Sequence, residues 1–126
     1  MPQAAKILIL DDEPHILRAL GFVLEKEGYQ LFSAMDSEEA VALAREHRPD
    51  LAILDVMLPR SDGFLVCRKL KEDPALASMA IVFLTAKGQE SDHRRALAAG
   101  GDCYLTKPFS PSEVVTVVRT LLGSRS

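Results

Sequence analysis

Cysteine is scarce in this chain. Cys67 and Cys103 are the only two, far apart and in no Cys-x-x-Cys pattern. A disulfide framework or thiolate metal site is therefore not expected, and both thiols read as small hydrophobes. The three histidines, His15, His47 and His93, share no metal-ligand spacing. No apolar run approaches the ~20 residues that a membrane span needs, so no membrane partner is expected. Residues Met1 to Lys6 contain no apolar h-region, so no signal peptide is expected either. Basic residues are not in excess: 15 Lys and Arg stand against 18 Asp and Glu, a formal net charge of -3. That balance argues against direct nucleic-acid binding. A Gly-rich phosphate loop of the Walker type is also missing. Cysteine usage, mild negative charge and the lack of targeting signals together make the cytoplasm the expected location.

What is present is an ordinary globular composition, 48% hydrophobic and 26% charged over 126 residues. It is enough for one domain with a real core, expected over 1–126 with the core at about 5–122. Lys6 to Leu10 reads as a strand ending in Asp11-Asp12-Glu13. Pro14 suits a first helical turn, acidic residues suit its dipole, and Ile16, Leu20, Val23 and Leu24 form a helical stripe that Gly28 stops. Gln30 to Ala34 is a less apolar strand, nearer an edge. Asp36 with Glu39 resembles a capping box for a helix that ends before Pro49. Leu51 to Leu54 is a run typical of a strand buried on both faces, and it stops at Asp55. Pro59 and Asp62-Gly63 interrupt regular structure, and a helix from Gly63 to about Lys71 carries Phe64, Cys67 and Leu70 on one face.

Ile81 to Leu84, bounded by Thr85, is the fourth strand. A helix from about Gln89 to Ala99 ends at Gly100-Gly101. Cys103 to Thr106 is the fifth strand, ending at Lys107-Pro108. Ser110 as N-cap, Pro111 as first helical residue and Glu113 as capping-box partner open the last helix. Phe109 and Val114 take hydrophobic-staple positions, and Val114, Val117, Val118, Leu121 and Leu122 form its stripe. Strand and helix thus alternate five times, which implies an α/β fold with a parallel sheet and helices on both faces.

In a parallel sheet all carboxyl ends share one edge, and ligands bind there in open α/β folds. Asp11-Asp12, Asp55, Thr85 and Lys107 close four of the five strands. Two carboxylates ~4 Å apart repel by about 4 kcal/mol at an effective dielectric near 20, enough to lift one pKa well above the carboxylate range. A proton or a hard divalent cation relieves this, and an all-oxygen set suits Mg²⁺, or Mn²⁺ in its place. A metal beside a carboxylate, with a hydroxyl and an ammonium converging, is equipment for a phosphoryl group. An Asp can itself be the nucleophile, and Asp55 closes the most central run.

These residues resemble the receiver domain of two-component response regulators over essentially the whole chain. Asp11-Asp12, Asp55, Thr85-Ala86 and Lys107-Pro108-Phe109 fall in that family's order and approximate spacing. Asp55 to Gly63 is similar to its phosphoacceptor loop. The resemblance implies a flavodoxin-like (βα)5 three-layer sandwich with a parallel five-stranded sheet of order 2-1-3-4-5. It implies that Asp55 takes phosphate from a phosphohistidine on a sensor histidine kinase or histidine phosphotransfer protein. Asp12, Asp55 and the backbone carbonyl of Met57 would ligate Mg²⁺, with Asp11 acting through water. Lys107, Thr85 and Ala86 would meet the phosphoryl group, and Thr85 with Tyr104 would form a switch. Lys107-Pro108 would be cis. The surface of the fourth helix, fifth strand and fifth helix, roughly 88–122, would signal to an output protein or domain and could pair two copies. Its only chemistry would be self-catalysed phosphotransfer and dephosphorylation.

The sequence departs from the family's pattern at Ser61, Gly101 and Cys103, and Met57 and Lys87 stand where phosphoryl lifetime is tuned. Competing readings are a receiver-like module that takes no phosphate, a phosphatase with a nucleophilic Asp, and a flavin carrier. The complete acid set opposes the first. The haloacid dehalogenase type of phosphatase wants a second Asp where Met57 stands. The flavin carrier wants a Ser/Thr/Gly-rich loop after the first strand.

Overall fold

The computed structural model describes residues 4–58, 62–86, 94, 98 and 100–123. Five strands form one parallel sheet: β1 (Lys6–Leu10), β2 (Gln30–Ala34), β3 (Leu51–Asp55), β4 (Ala80–Ala86) and β5 (Cys103–Lys107), in the order β2-β1-β3-β4-β5. Helices α1 (Pro14–Lys26), α2 (Ser37–His47) and α3 (Gly63–Glu72) and a C-terminal helix (Pro111–Gly123) cover it. The expected helix from Gln89 to Ala99 falls largely outside the described residues; Arg94 and Ala98 within it are helical.

Alternating side chains send the core to two sides. Leu8, Leu10, Ala52, Leu54, Ile81 and Phe83 pack with Ala40 and Ala44 of α2 and Phe64, Cys67 and Leu70 of α3. Ile7, Ile9, Leu51, Ile53, Val82 and Leu84 pack with Leu20 and Leu24 of α1 and Val114 and Val118 of the C-terminal helix. β3, buried at every residue, is central, whereas β2 with its exposed Gln30 and Ser33 is an edge, as its weaker hydrophobicity implied.

The helix signals in the sequence take specific form. Asp36 accepts from the Glu39 backbone at 2.8 Å, but the Glu39 carboxylate reaches Met35 N rather than closing the box on Asp36. At the C-terminal helix the box closes both ways between Ser110 and Glu113, each bond 3.2 Å. Glu13 occupies the N-cap position of α1 but makes no side-chain capping bond, and no acid lies in the first turn. The carboxylate that turns the chain there is Asp11, which accepts from Glu13 N at 2.9 Å. Helix α2 ends on Arg48 in the left-handed region (φ 49°), without a glycine.

Three strands run further than their apolar runs. β3 takes in Asp55, β4 takes in Ala80, Thr85 and Ala86, and β5 takes in Lys107. A polar side chain does not interrupt backbone pairing, so the ladder continues until its partner strand ends; Asp55 still pairs with Leu84 and Lys107 with Ala86. The polar groups expected at a solvated rim are therefore sunk inside it.

Candidate functional site

The chain leaves β1 for β2 on one side, then returns to place β3 on the other. Between β1 and β3 the connections depart in opposite directions, and a crevice opens at their carboxyl ends. Asp11 and Asp12 follow β1, and Asp55 ends β3, so the three carboxylates line that crevice. One oxygen from each lies within 4.8 Å of the others. Asp11 is fully buried and Asp55 is 4% exposed, whereas Asp12 is half-buried and faces the opening.

Lys107 comes from β5, two strand positions beyond β3. Strands lie about 4.8 Å apart, so its long side chain must lean across β4 to reach them. Its Nζ lies 2.9 Å from Asp11 Oδ2, 3.4 Å from Asp55 Oδ2 and 3.8 Å from Glu13 Oε2. The bond to Asp55 has hydrogen-bond geometry. The contact with Asp11 is a close ion pair, and among the described residues no group donates to Asp11 Oδ2 in full hydrogen-bond geometry. Met57 N donates to Asp55 Oδ1 at 3.0 Å, which fixes one oxygen and leaves Oδ2 for the ammonium.

Burial pushes the Asp55 carboxyl up to about 6, and Asp11 adds to the rise; the Met57 N–H and Lys107 oppose it without cancelling it. Burial alone would pull the Lys107 ammonium down. Asp11, Asp55 and Glu13 more than reverse that, so its pKa is raised and it stays charged. One ammonium thus faces the carboxylates of Asp11, Asp55 and Glu13. An oxygen-only donor set of three carboxylates within 4.8 Å of one another fits a hard divalent cation.

Thr85, 1% exposed beside this cluster on β4, donates to the Leu105 carbonyl at 3.5 Å. Tyr104 on β5 is 37% exposed, so its ring is not within the core. The Lys107-Pro108 peptide is cis. Ala86, half-buried, pairs with Lys107 in the β4–β5 ladder. Ser61 and Lys87 lie outside the described residues. Sequence reasoning missed two participants. Glu13 entered only as a helix-dipole acid, although its place directly after Asp12 puts it within reach of whatever neutralises the trio. Gly63 entered only as a breaker and helix start, yet a Cβ built on it would stand 2.5 Å from the Asp55 carbonyl oxygen.

The comparisons with known proteins agree with this geometry. Residues 7–119 match the family described as response regulator receiver domain. The chain is 45% identical over 117 residues to the alkaline phosphatase synthesis transcriptional regulatory protein PhoP of Bacillus subtilis, covering 93% of this chain and 48% of that protein. It is 44% identical over 117 residues to the DNA-binding dual master transcriptional regulator RpaA of Synechocystis, covering 93% of this chain and 48% of that one. The chain therefore spans about half the length of the curated relatives it matches. Among solved structures it superposes on the signal receiver domain of a signal transduction histidine kinase from Syntrophus aciditrophicus (TM-score 0.87, 36% identity, 96% of this chain and 92% of that one). It also superposes on the chemotaxis response regulator CheY4 of Vibrio cholerae (TM-score 0.88, 28% identity, 94% and 98%). With five parallel strands in the order 2-1-3-4-5, an acid pocket at the switch point and a family match over most of its length, the chain belongs to the receiver domain family of two-component response regulators.

Proposed function

We propose that Asp55 is the phosphoacceptor of this receiver, taking its phosphoryl group from a phosphohistidine in a Mg²⁺-dependent reaction. The observation that carries this reading is the Asp55 carboxylate itself: 4% exposed, held by Met57 N, and 3.4 Å from the Lys107 ammonium. Oδ2 of Asp55 attacks phosphorus, the P–N bond of the donor breaks, and the departing imidazole keeps that electron pair and takes a proton. The product is an acyl phosphate. Asp12, Asp55 and the Met57 carbonyl would hold the Mg²⁺, with Asp11 reaching it through water. When bound, the ion supplies positive charge against the phosphoryl oxygens. Lys107 offsets charge on the same oxygens, and the Thr85 hydroxyl and Ala86 backbone lie on the neighbouring strand to receive them.

Acylation replaces one negative charge by about two and adds acceptor oxygens. Thr85 then has a better acceptor than the Leu105 carbonyl, and its departure from β5 frees Tyr104 to turn inward. That couples the pocket to the surface of the fourth helix, fifth strand and last helix, where an output protein or domain, or a second copy, would bind. The donor would be a sensor histidine kinase or histidine phosphotransfer protein in the cytoplasm. The domain acts as a signalling switch whose chemistry is confined to its own carboxylate.

Acetyl phosphate with Mg²⁺ tests the reading by mass spectrometry. The expected result is the mass of one phosphoryl group on the peptide carrying Asp55, lost with EDTA and absent in Asp55→Asn. Labelling that persists in Asp55→Asn, or no labelling of the wild type, overturns it.

A further inference from the structure

β3 ends at Asp55 and α3 begins at Gly63, and this first residue of α3 lies against the backbone of Asp55. A Cβ at Gly63 would stand 2.5 Å from the Asp55 carbonyl oxygen, 3.1 Å from its carbonyl carbon and 3.3 Å from Leu54 Cβ. Two of those three atoms are main chain, held in the β3–β4 ladder by the pairing of Asp55 with Leu84 and by Val56 N donating to Leu84 O at 3.1 Å. They cannot swing aside as the end of a flexible side chain can. Gly63 does not have a positive φ. Its lack of a side chain therefore serves close approach rather than an unusual backbone conformation. On the other side of the contact, Asp62 caps α3 through Leu65 N at 2.8 Å, which fixes where the helix starts.

We infer that Gly63 is a positioning residue for the phosphoacceptor: its close approach to the Asp55 backbone sets the direction of the Asp55 carboxylate and of the Met57 backbone beside it. This rests on the reading of Asp55 as the acceptor. Any side chain at 63 must lift α3 from β3 or push the Asp55 carbonyl away by at least about half an ångström, from 2.5 Å to the 3.0 Å below which Cβ contacts essentially never fall. The displaced peptide is the one that joins Asp55 to Val56, one residue before Met57. Its movement alters both the carboxylate held by Met57 N and the carbonyl that follows. Gly21, within α1, provides the contrast. A Cβ there would meet only Leu31 Cδ1, at 3.7 Å, an ordinary contact.

The test compares wild type, Gly63→Ala and Gly21→Ala in three measurements: folding by circular dichroism, Mg²⁺ binding by amide NMR shifts without phosphodonor, and labelling by acetyl phosphate. Misplacement of about an ångström costs on the order of a hundredfold in rate, so about half that displacement should cost roughly tenfold. The expected result is a folded Gly63→Ala that labels roughly tenfold more slowly and binds Mg²⁺ more weakly, with Gly21→Ala matching wild type in both. Gly63→Ala that labels and binds Mg²⁺ as wild type does overturns the inference. So does a Gly63→Ala chain that fails to fold, since the contact would then hold the fold rather than aim the carboxylate. If wild type itself does not label, the acceptor reading fails, and the wild-type arm shows this separately.

Discussion

The two edges of the sheet use the same residue in opposite ways. At the amino edge, Asp50 accepts from Lys6 N at 2.8 Å and Asp102 accepts from Ile81 N at 2.8 Å. Both are exposed; Asp50 satisfies the first N–H of β1 and Asp102 the second of β4. At the carboxyl edge, Asp11 and Asp55 are buried together, and among the described residues none donates to Asp11 Oδ2 in full hydrogen-bond geometry. An aspartate at the first edge completes the fold. At the second it opposes it, and is tolerated because Lys107 lies between the acids. The chemistry belongs to the edge where the fold leaves charge unbalanced.

Removing the balance should have the largest effect. Lys107→Met leaves two buried carboxylates facing each other, and breaking such a partnership costs about 3 to 5 kcal/mol. Urea unfolding at pH 7 should show this loss, and it should shrink as the pH falls and a proton takes the place of the ammonium. Lys107 itself, with its raised pKa, stays charged across that range. A loss below about 1 kcal/mol would mean that the acids are relieved by water, and the contrast between the edges would dissolve.

Asp55→Asn should act in the other direction. The folded-state pKa of about 6 lies above the ordinary 3.8, so the folded chain holds this proton more tightly than the unfolded one. That contribution is complete below about pH 4 and is lost as the pH rises through about 6; above it the ionised group destabilises by up to about 3 kcal/mol. Without Mg²⁺, Asp55→Asn should therefore be more stable than wild type at pH 7, with the advantage gone at pH 4. Equal stability at both pH values would contradict this.

The smallest change is expected at the amino edge. Asp102→Asn keeps an oxygen for Ile81 N and removes only an exposed charge, so the loss should stay within about 1 kcal/mol. Acetyl phosphate labelling should be unaltered. A larger loss, or slower labelling, would show that the two edges are not independent.

Much of this was legible before any coordinates. Apolar runs end at Asp11, Asp55, Thr85 and Lys107 because a buried parallel strand has no tolerance for unpaired charge until it reaches an edge. Ser110 and Glu113 announced their helix because capping is local chemistry. Other features were not legible. Arg48 ends α2 in the left-handed region without the glycine that would have signalled it. Glu13 joins the charge cluster instead of capping its helix, because Lys107 approaches from a strand more than ninety positions later in the sequence. Gly63 is the first residue of α3 as the sequence implies, but its press on the Asp55 backbone is a contact between elements that no local pattern announces.

The sequence by itself determined which groups could act: the order of strands and helices, the acids and the amine at strand ends, and the family they resemble. Those follow from periodicity and local propensity, which read along the chain. Tertiary structure decided that Asp11 and Asp55 lie buried within reach of one ammonium, and that the ladder carries Asp55 and Lys107 inside the rim. Burial and through-space distance set the charge balance, and neither is a property of neighbours in sequence.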